Sequence, residues 1–522
     1  MCIAARTPSD SGGHGRAARD GGCDVRRQTL TGTAAAALAT VVALGITPAQ
    51  ANPRTEAPAA GTGIAWEPCA DEPEAECGSV TVPVDWSDPD GPTIDVALAR
   101  RTATDPTARI GTILTNPGGP GASGVQDAIL GGIGGSFSDE VRRRFDVVGF
   151  DPRGVGGSDP IRCQVPEGPE PKLFPTTAEE FDGLRAWTRA YGESCREHSG
   201  PHVDFLDSRT VARDMDAIRA ALGEKKLTFY GNSYATMMGQ QYATLFPQRV
   251  RAMVLDSTMD HSAATTWDFL RSETKATQDS FDRYVEWCRT STECALHGQD
   301  ARTVFRELYA KAERGELVDP GSSRTMSPTD LLEDIQWTFL GPYWTQLSER
   351  LAGLSAGEPG PTTDAARPTT ARTATTEQEP VEDPSLAIFC QDWRLPVRDV
   401  DQLRAYQERL ARVAPEMKLN LQAWGSTMAC LGWPTEVRNP QAPLRWKGVP
   451  PVLVLNSRYD PVTPHEWARN VARQSGATLL TYEGAGHGVY SFGSDCVGDA
   501  TTRYLIHVKT PKKGARCPAV AQ

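Results

Sequence analysis

The chain has 522 residues, of which 39% are hydrophobic and 23% charged, with a net charge of −12. That length exceeds what one small core needs, and the composition is that of an ordinary water-soluble globular protein, here expected to carry a large domain with an elaborated insertion or a second lobe. A net acidic chain lacks the electrostatic footprint of a nucleic-acid binder or of a protein held on an anionic membrane.

The first 51 residues are expected to form an export leader. Arg26 and Arg27 precede the apolar run "TLTGTAAAALATVVALGI", and Ala49-Gln50-Ala51 supplies the small residues of a cleavage site. A membrane-spanning helix fits this Ala-rich run less well, because it ends at such a site. Residues 1–25 read as an extension ahead of the leader, and "RRQTL" leaves the Sec and twin-arginine routes both open. No comparable apolar run follows, so the mature protein is expected to be secreted, extracellular and without stable membrane association. Removing residues 1–51 takes away five Arg and three Asp and leaves 49 basic against 63 acidic residues, a balance of −14.

Ten of the twelve cysteines survive that cleavage, an even set suited to an oxidising compartment. They lie as neighbours along the chain, and sequential pairing is expected: Cys69 with Cys77, Cys163 with Cys195, Cys288 with Cys294, Cys390 with Cys430, and Cys496 with Cys517. None shows the CxxC spacing of a zinc site.

In chain order, "GSVTVPVDW", "TIDVALARR" and "GTILTNPGGPG" are β-rich runs separated by turn residues, and "FDVVGFDPRG" is a fourth strand after a glycine-rich loop. Val211, Met215, Ile218 and Leu222 recur at helical spacing, with Gly223 placed to stop the helix. Then come the strand "LTFYG", a helix over about Ala235–Phe246, and the strand "VRAMVLDST". The alternation predicts a mainly parallel sheet with helices on both faces. From residue 261 to about 442 the pattern turns helical and aromatic. Ser327-Pro328 suits a cap and first turn ahead of Leu331, Leu332, Ile335 and Phe339, and residues 355–384 form a Pro/Thr-rich connector. The sheet pattern resumes with "PPVLVLNSRYD", a helix around His465–Gln474, "TLLTYEGAGHG", and a last helix near Asp499–His507. The predicted organisation is a leader over 1–51, two sheet segments over 52–260 and 443–522, and a helical lid over 261–442 between them.

Within this frame "GNSYA" reads as a nucleophile elbow. A serine on a strained strand-to-helix turn exposes its Oγ above the sheet only if the residues two before and two after it are small, as Gly231 and Ala235 are. The Ser233 hydroxyl needs a base held in one tautomer by a carboxylate, and the order Ser, Asp, His at successive strand ends assigns Asp460 and His487. The tetrahedral intermediate needs two backbone donors. They are expected from the N–H of Tyr234 and from "NPGGPGASG", where Gly119 is the candidate. Arg153 in "DPRGVGGSD" is expected to make a structural salt bridge. No phosphate-loop motif accompanies the glycines.

These segments, with "ALGEKKLTFYGNSYAT", "LFPQRVRAMVLDS", "PPVLVLNSRYDPVTP" and "GAGHG", resemble the secreted tripeptidyl aminopeptidases of the prolyl-aminopeptidase-like α/β-hydrolase serine peptidases. The resemblance covers about Ile64 to Cys517 and is weakest in the lid. It implies an α/β-hydrolase fold and an exopeptidase that releases short peptides, often tripeptides, from substrates with a free N-terminus. It implies Ser233 as acyl carrier, His487 as proton shuttle, Asp460 as its orienting acid, and Gly119 with Tyr234 as oxyanion hole. It implies no metal or organic cofactor, and a tripeptidyl-aminopeptidase-like C-terminal region over about 386–517. Two positions depart from the pattern: Ala235 and Ala122 stand where glycines are usual.

An aminopeptidase must bind an α-ammonium group, which calls for a buried carboxylate. Asp256 and Asp260 are candidates, although ordinary solvated acids would look the same. Trp337, Tyr343 and Trp344 suit either a substrate cavity or lid packing. The alternatives are a secreted carboxylic-ester hydrolase on the same fold and a non-catalytic binding protein of that fold. A monomer acting on peptides, with no nucleic-acid partner, is expected.

Overall fold

Two six-residue strands, "GTILTN" and "FDVVGF", are buried at every position, the mark of strands covered on both faces. They stand inside one sheet. The computed structural model describes residues 63–70, 72–341, 343–359 and 379–520, all within one compact unit, Pro58–Gln522. The expected leader and residues 360–378 of the connector lie outside the described residues.

In chain order the strands are β1 (Glu67–Pro68), β2 (Glu76–Pro83), β3 (Thr93–Arg101), β4 (Gly111–Asn116), β5 (Phe145–Phe150), β6 (Arg162–Cys163), β7 (Leu227–Asn232), β8 (Val250–Asp256), β9 (Val381–Glu382), β10 (Leu453–Tyr459), β11 (Thr478–Ala485) and β12 (Arg516–Cys517). Strands β6 and β9 pair with each other; the rest form one sheet in the order β1-β2-β3-β5-β4-β7-β8-β10-β11-β12. It is parallel from β5 to β12 and antiparallel from β1 to β5. On β3, Ile94 and Val96 point inward while Thr93 and Asp95 face water, the alternation of a sheet margin wet on one face.

The helices are α1 (Gly124–Ile129), α2 (Asp139–Arg144), α3 (Ala178–Ser199), α4 (Ser208–Ala221), α5 (Ala235–Leu245), α6 (Thr266–Thr290), α7 (Ala301–Glu313), α8 (Pro328–Thr338), α9 (Trp344–Ala356), α10 (Pro384–Asp392), α11 (Val400–Val413), α12 (Leu421–Ala429), α13 (His465–Ser475) and α14 (Asp495–His507). Val211 and Met215 of α4, Met238 and Tyr242 of α5 and Val471 of α13 pack on one sheet face. Val141 of α2 with Val497, Tyr504 and Leu505 of α14 covers the other. Helix α4 holds the predicted Val211, Met215 and Ile218 stripe, and Asp207 caps it. The Ser327-Pro328 start of α8 carries a full capping box, with Ser327 and Asp330 exchanging side-chain-to-backbone bonds.

Helices α6 to α12 all fall between β8 and β10. Their core divides into one cluster around Phe281, Phe305, Leu331 and Trp344 and another around Trp393, Trp424, Tyr191 and Tyr234, which reaches down onto the sheet domain. The 22-residue helix α3 was not among the sequence expectations. Its signal is present in Thr177, which caps it, and in Phe181, Leu184, Tyr191 and Cys195 on its buried face. All five disulfides pair sequentially, as expected.

The register aligns the strand ends that matter. Asn116 lies beside Gly231, Asn232 beside Asp256, and Asp256 beside Leu455. The loops leaving β4, β7, β8, β10 and β11 therefore emerge along one carboxyl edge, where open α/β sheets place their ligands.

Candidate active site

Ser233 sits between β7 and α5 with φ +54°, a left-handed backbone that costs a residue with a side chain about 1–3 kcal/mol. The turn is held in place by bonds on both sides. The Ser233 N–H donates to Asp256 O at 2.9 Å and its carbonyl accepts from the Thr236 N–H at 3.0 Å and from Thr236 Oγ at 2.6 Å. A Cβ at Gly231 would lie 2.6 Å from the Phe229 ring and 2.9 Å from Ala235 O, so only glycine fits there. Ala235 is completely buried, and its methyl is accommodated where the pattern usually has glycine.

Asp460, 1% exposed, follows β10 on a tight loop that satisfies it almost entirely. Oδ1 accepts the N–H groups of Val462 and Thr463 at 3.0 and 2.9 Å, and Oδ2 accepts Thr463 Oγ at 2.8 Å. His487 Nδ1 lies 3.0 Å from Oδ2 and 3.2 Å from Oδ1. With Nδ1–H donated to the carboxylate, Nε2 is the basic nitrogen. Burial works against the imidazolium, but the charge and hydrogen bond of Asp460, with the charge of Asp256 behind it, outweigh burial and hold His487 above its ordinary 6.5.

The histidine loop is pinned from below and above. Asp256 Oδ1 and Oδ2 accept the N–H groups of Val489 and Tyr490, both at 3.0 Å, and Ser257 Oγ accepts that of Gly488 at 2.8 Å. From the helical insertion, Leu340 O accepts the His487 N–H at 2.9 Å. A Cβ on Gly488 would be 3.6 Å from the Asn232 amide, so the histidine and serine turns are direct neighbours.

The loop after β4 lies against the serine turn. A Cβ on Gly118 would stand 2.8 Å from the Tyr234 nitrogen and 3.1 Å from Ser233 Cβ, which is the close approach that requires glycine. The Gly118 N–H is committed to Asn116 Oδ1 at 2.9 Å. The next N–H along, that of Gly119, has no acceptor among the described residues. Tyr234 is the N-cap of α5, so its N–H lies at the positive end of an eleven-residue helix dipole. Ala122 closes the loop, donating its N–H to Gly118 O at 3.2 Å.

Arg153 is structural, as expected. It is fully buried and grips Asp214 through two bonds of 2.6 Å, with further bonds to the carbonyls of Pro83, Val84 and Phe205. Asp256 and Asp260 differ from the solvated acids that sequence allowed. Both are buried, Asp256 beneath the histidine loop and Asp260 bonded to Ser262 and Asn470, so neither awaits an ammonium group. Glu273 on α6 was missed. It is 3% exposed, and burial, reinforced by the charge of Asp460, raises its carboxyl well above the usual range. Trp344 belongs to the insertion core and Tyr343 is 40% exposed. Trp337 lines a cavity of about 340 Å³ together with Leu340, Asn420, Leu421, Pro461 and Val462, adjoining the Asp460 loop.

The sequence pattern of the α/β-hydrolase fold matches residues 111–494. The chain belongs to this family. It is 32% identical to serine protease Hip1 of Mycobacterium tuberculosis over 94% of this chain and 98% of that protein. It is also 32% identical to a tripeptidyl aminopeptidase of Streptomyces lividans over 88% of this chain and 87% of that one, and 31% identical to carboxylesterase B of M. tuberculosis over 88% and 91%. The expected membership among tripeptidyl-aminopeptidase-like hydrolases therefore holds, and the protein is a serine hydrolase. Its five disulfides fit an extracellular protein, and no helix among the described residues is long and apolar enough to cross a membrane.

Proposed function

We propose that this protein is a secreted serine exopeptidase that hydrolyses peptide bonds near a free N-terminus and releases tripeptides. The observation that carries the chemistry is the bond between His487 and the buried Asp460, on a turn that neighbours that of a serine held at positive φ. His487 Nε2 takes the proton of Ser233 Oγ as that oxygen attacks the scissile carbonyl. The negative charge that develops on the carbonyl oxygen falls to the N–H groups of Gly119 and Tyr234. The protonated His487, stabilised by Asp460, then gives its proton to the leaving amine, and the acyl group stays on Ser233. A water activated by the same nitrogen attacks the ester and returns the enzyme to its starting state.

The exopeptidase preference is supported by similarity along almost the whole chain to the Streptomyces tripeptidyl aminopeptidase. The cavity lined by Trp337, Leu340 and Val462 is our candidate subsite for a substrate side chain. A second reading, a carboxylic-ester hydrolase, is favoured by the comparable similarity to carboxylesterase B, and the triad does not choose between amide and ester.

The test uses p-nitroanilides of mono-, di- and tripeptides with free amines beside N-acetylated tripeptides, with wild type and Ser233→Ala. The expected result is p-nitroaniline release from free tripeptides alone, abolished in the variant. Equal cleavage of acetylated substrates would overturn the exopeptidase assignment. Turnover of p-nitrophenyl esters with no anilide cleavage would establish the esterase instead.

A further inference from the structure

Helix α10 touches both backbone segments from which the oxyanion donors come. At its start, Ser385 Oγ donates to Pro120 O at 2.9 Å, and a Cβ on Gly121 would meet that same Ser385 Oγ at 2.9 Å and the Pro384 ring at 3.0 Å. At its end, Asp392 Oδ2 accepts the hydroxyl of Tyr234 at 2.7 Å. Tyr234 is the residue that follows the nucleophile, and its ring is 2% exposed. One helix thus contacts the glycine loop at one end and fixes the orientation of residue 234 at the other.

Asp392 is built for holding. Oδ1 accepts from the Ser208 N–H at 3.0 Å and Asn439 Nδ2 at 2.8 Å, while Oδ2 accepts from Ser208 Oγ at 2.6 Å as well as from Tyr234. Four donors converge on this one buried group, as a buried carboxyl requires, while burial and the charge of Asp207 push it up to about 7. The helix is itself immobilised. Gln391 Nε2 donates to Val203 O at 2.6 Å, its Oε1 accepts the Leu206 N–H at 3.0 Å, and Cys390 is bonded to Cys430.

We propose that α10 is a positioning strut for the oxyanion hole, holding the Gly118–Gly121 loop through Ser385 and the Tyr234 N–H through Asp392. Ser385 and Asp392 are positioning residues, since they act through the backbone they hold. The role follows from the geometry required of such donors: they must be in place before the charge develops, because reorganising them during reaction forfeits their advantage. This proposal rests on the reading of Ser233 as nucleophile.

The experiment compares full-length wild type with Tyr234→Phe, Ser385→Ala and Asp392→Asn. It measures hydrolysis of p-nitrophenyl acetate, inhibition by a short peptide boronic acid that forms a tetrahedral adduct, fluorophosphonate labelling and Tm. Tyr234→Phe and Ser385→Ala are each expected to lower kcat about three- to tenfold with KM within about twofold, less than the loss on deleting a donor outright. Boronate affinity should weaken in step with kcat, a correlation that simple loss of packing does not produce. Unchanged kcat and boronate affinity in both variants, with or without a fall in Tm, would overturn the strut. Should Asp392→Asn fail to fold, the other two variants decide the matter. A wild type that is not labelled at Ser233 would remove the nucleophile and the strut together, whereas labelling at equal rates in wild type and variants would remove the strut alone.

Discussion

The two halves of the site are held by contacts of very different reach. The acid–base half joins Asp460 to His487 across 27 residues, through loops at the ends of adjacent strands. The oxyanion half joins Tyr234 to Asp392 across 158 residues and Pro120 to Ser385 across 265, by way of a helix from the insertion. The first half is a property of the sheet. On the roles proposed above, the second makes the alignment of the donors depend on how the insertion seats, so the same fold could alter the electrostatics of its site without touching the charge pair.

The largest effect is expected from breaking the near half. His487→Ala should lower kcat by about 10⁶ and Asp460→Asn by about 10⁴, as residues that act as a unit do. Both are to be measured on an ester substrate so that peptide specificity does not enter.

The pH profile sharpens the same half. The base must be neutral to take a proton, and Asp460 holds His487 above 6.5. The acid limb of kcat/KM should therefore lie above pH 6.5, with activity falling as pH drops through it. In Asp460→Asn the residual activity should show that limb shifted to lower pH, because burial alone favours the neutral ring. An unshifted limb would mean that another group sets it. Protonated His487 is favoured in the fold, so the pair adds stability below pH 6.5 and loses it as pH rises through the raised value.

The smallest effect on turnover is expected from loosening the far half at a distance. The bond between Cys390 and Cys430 closes a span of 40 residues, and replacing both by Ser should cost about 2–4 kcal/mol of stability. Urea titration should show activity lost at lower denaturant than the sheet's secondary structure. Coincident loss would mean that α10 keeps its seat without the disulfide.

Much of the near half was legible in the chain. A strained serine turn needs small residues at fixed offsets, and a parallel strand buried on both faces is an unbroken apolar run, so Gly231, Ser233, Ala235, Asp460 and His487 could each be placed at a strand end in order. Gly119 was legible as a candidate donor because a backbone N–H facing a ligand allows no side chain in the way, whereas the close approach of Gly118 to the Tyr234 nitrogen was not. The buried states of Asp256 and Asp260 were not, since an acidic residue after a strand reads identically whether it faces water or an N–H from a distant loop. The buried face of helix α3 carries Thr188 and Gly192 among its apolar residues, which blurs its helical periodicity in the sequence.

The sequence by itself marked the residues we propose for the chemistry, because local sterics and the two-residue or 3.6-residue periodicity act over a few positions. Only the tertiary structure decided which distant groups hold them: Asp256 under the histidine loop, Leu340 above it, and Ser385 and Asp392 at either end of α10. Those partners are chosen by the register of the sheet and the seating of the insertion. A hydrogen bond across 158 or 265 residues leaves no periodic trace in the chain that makes it.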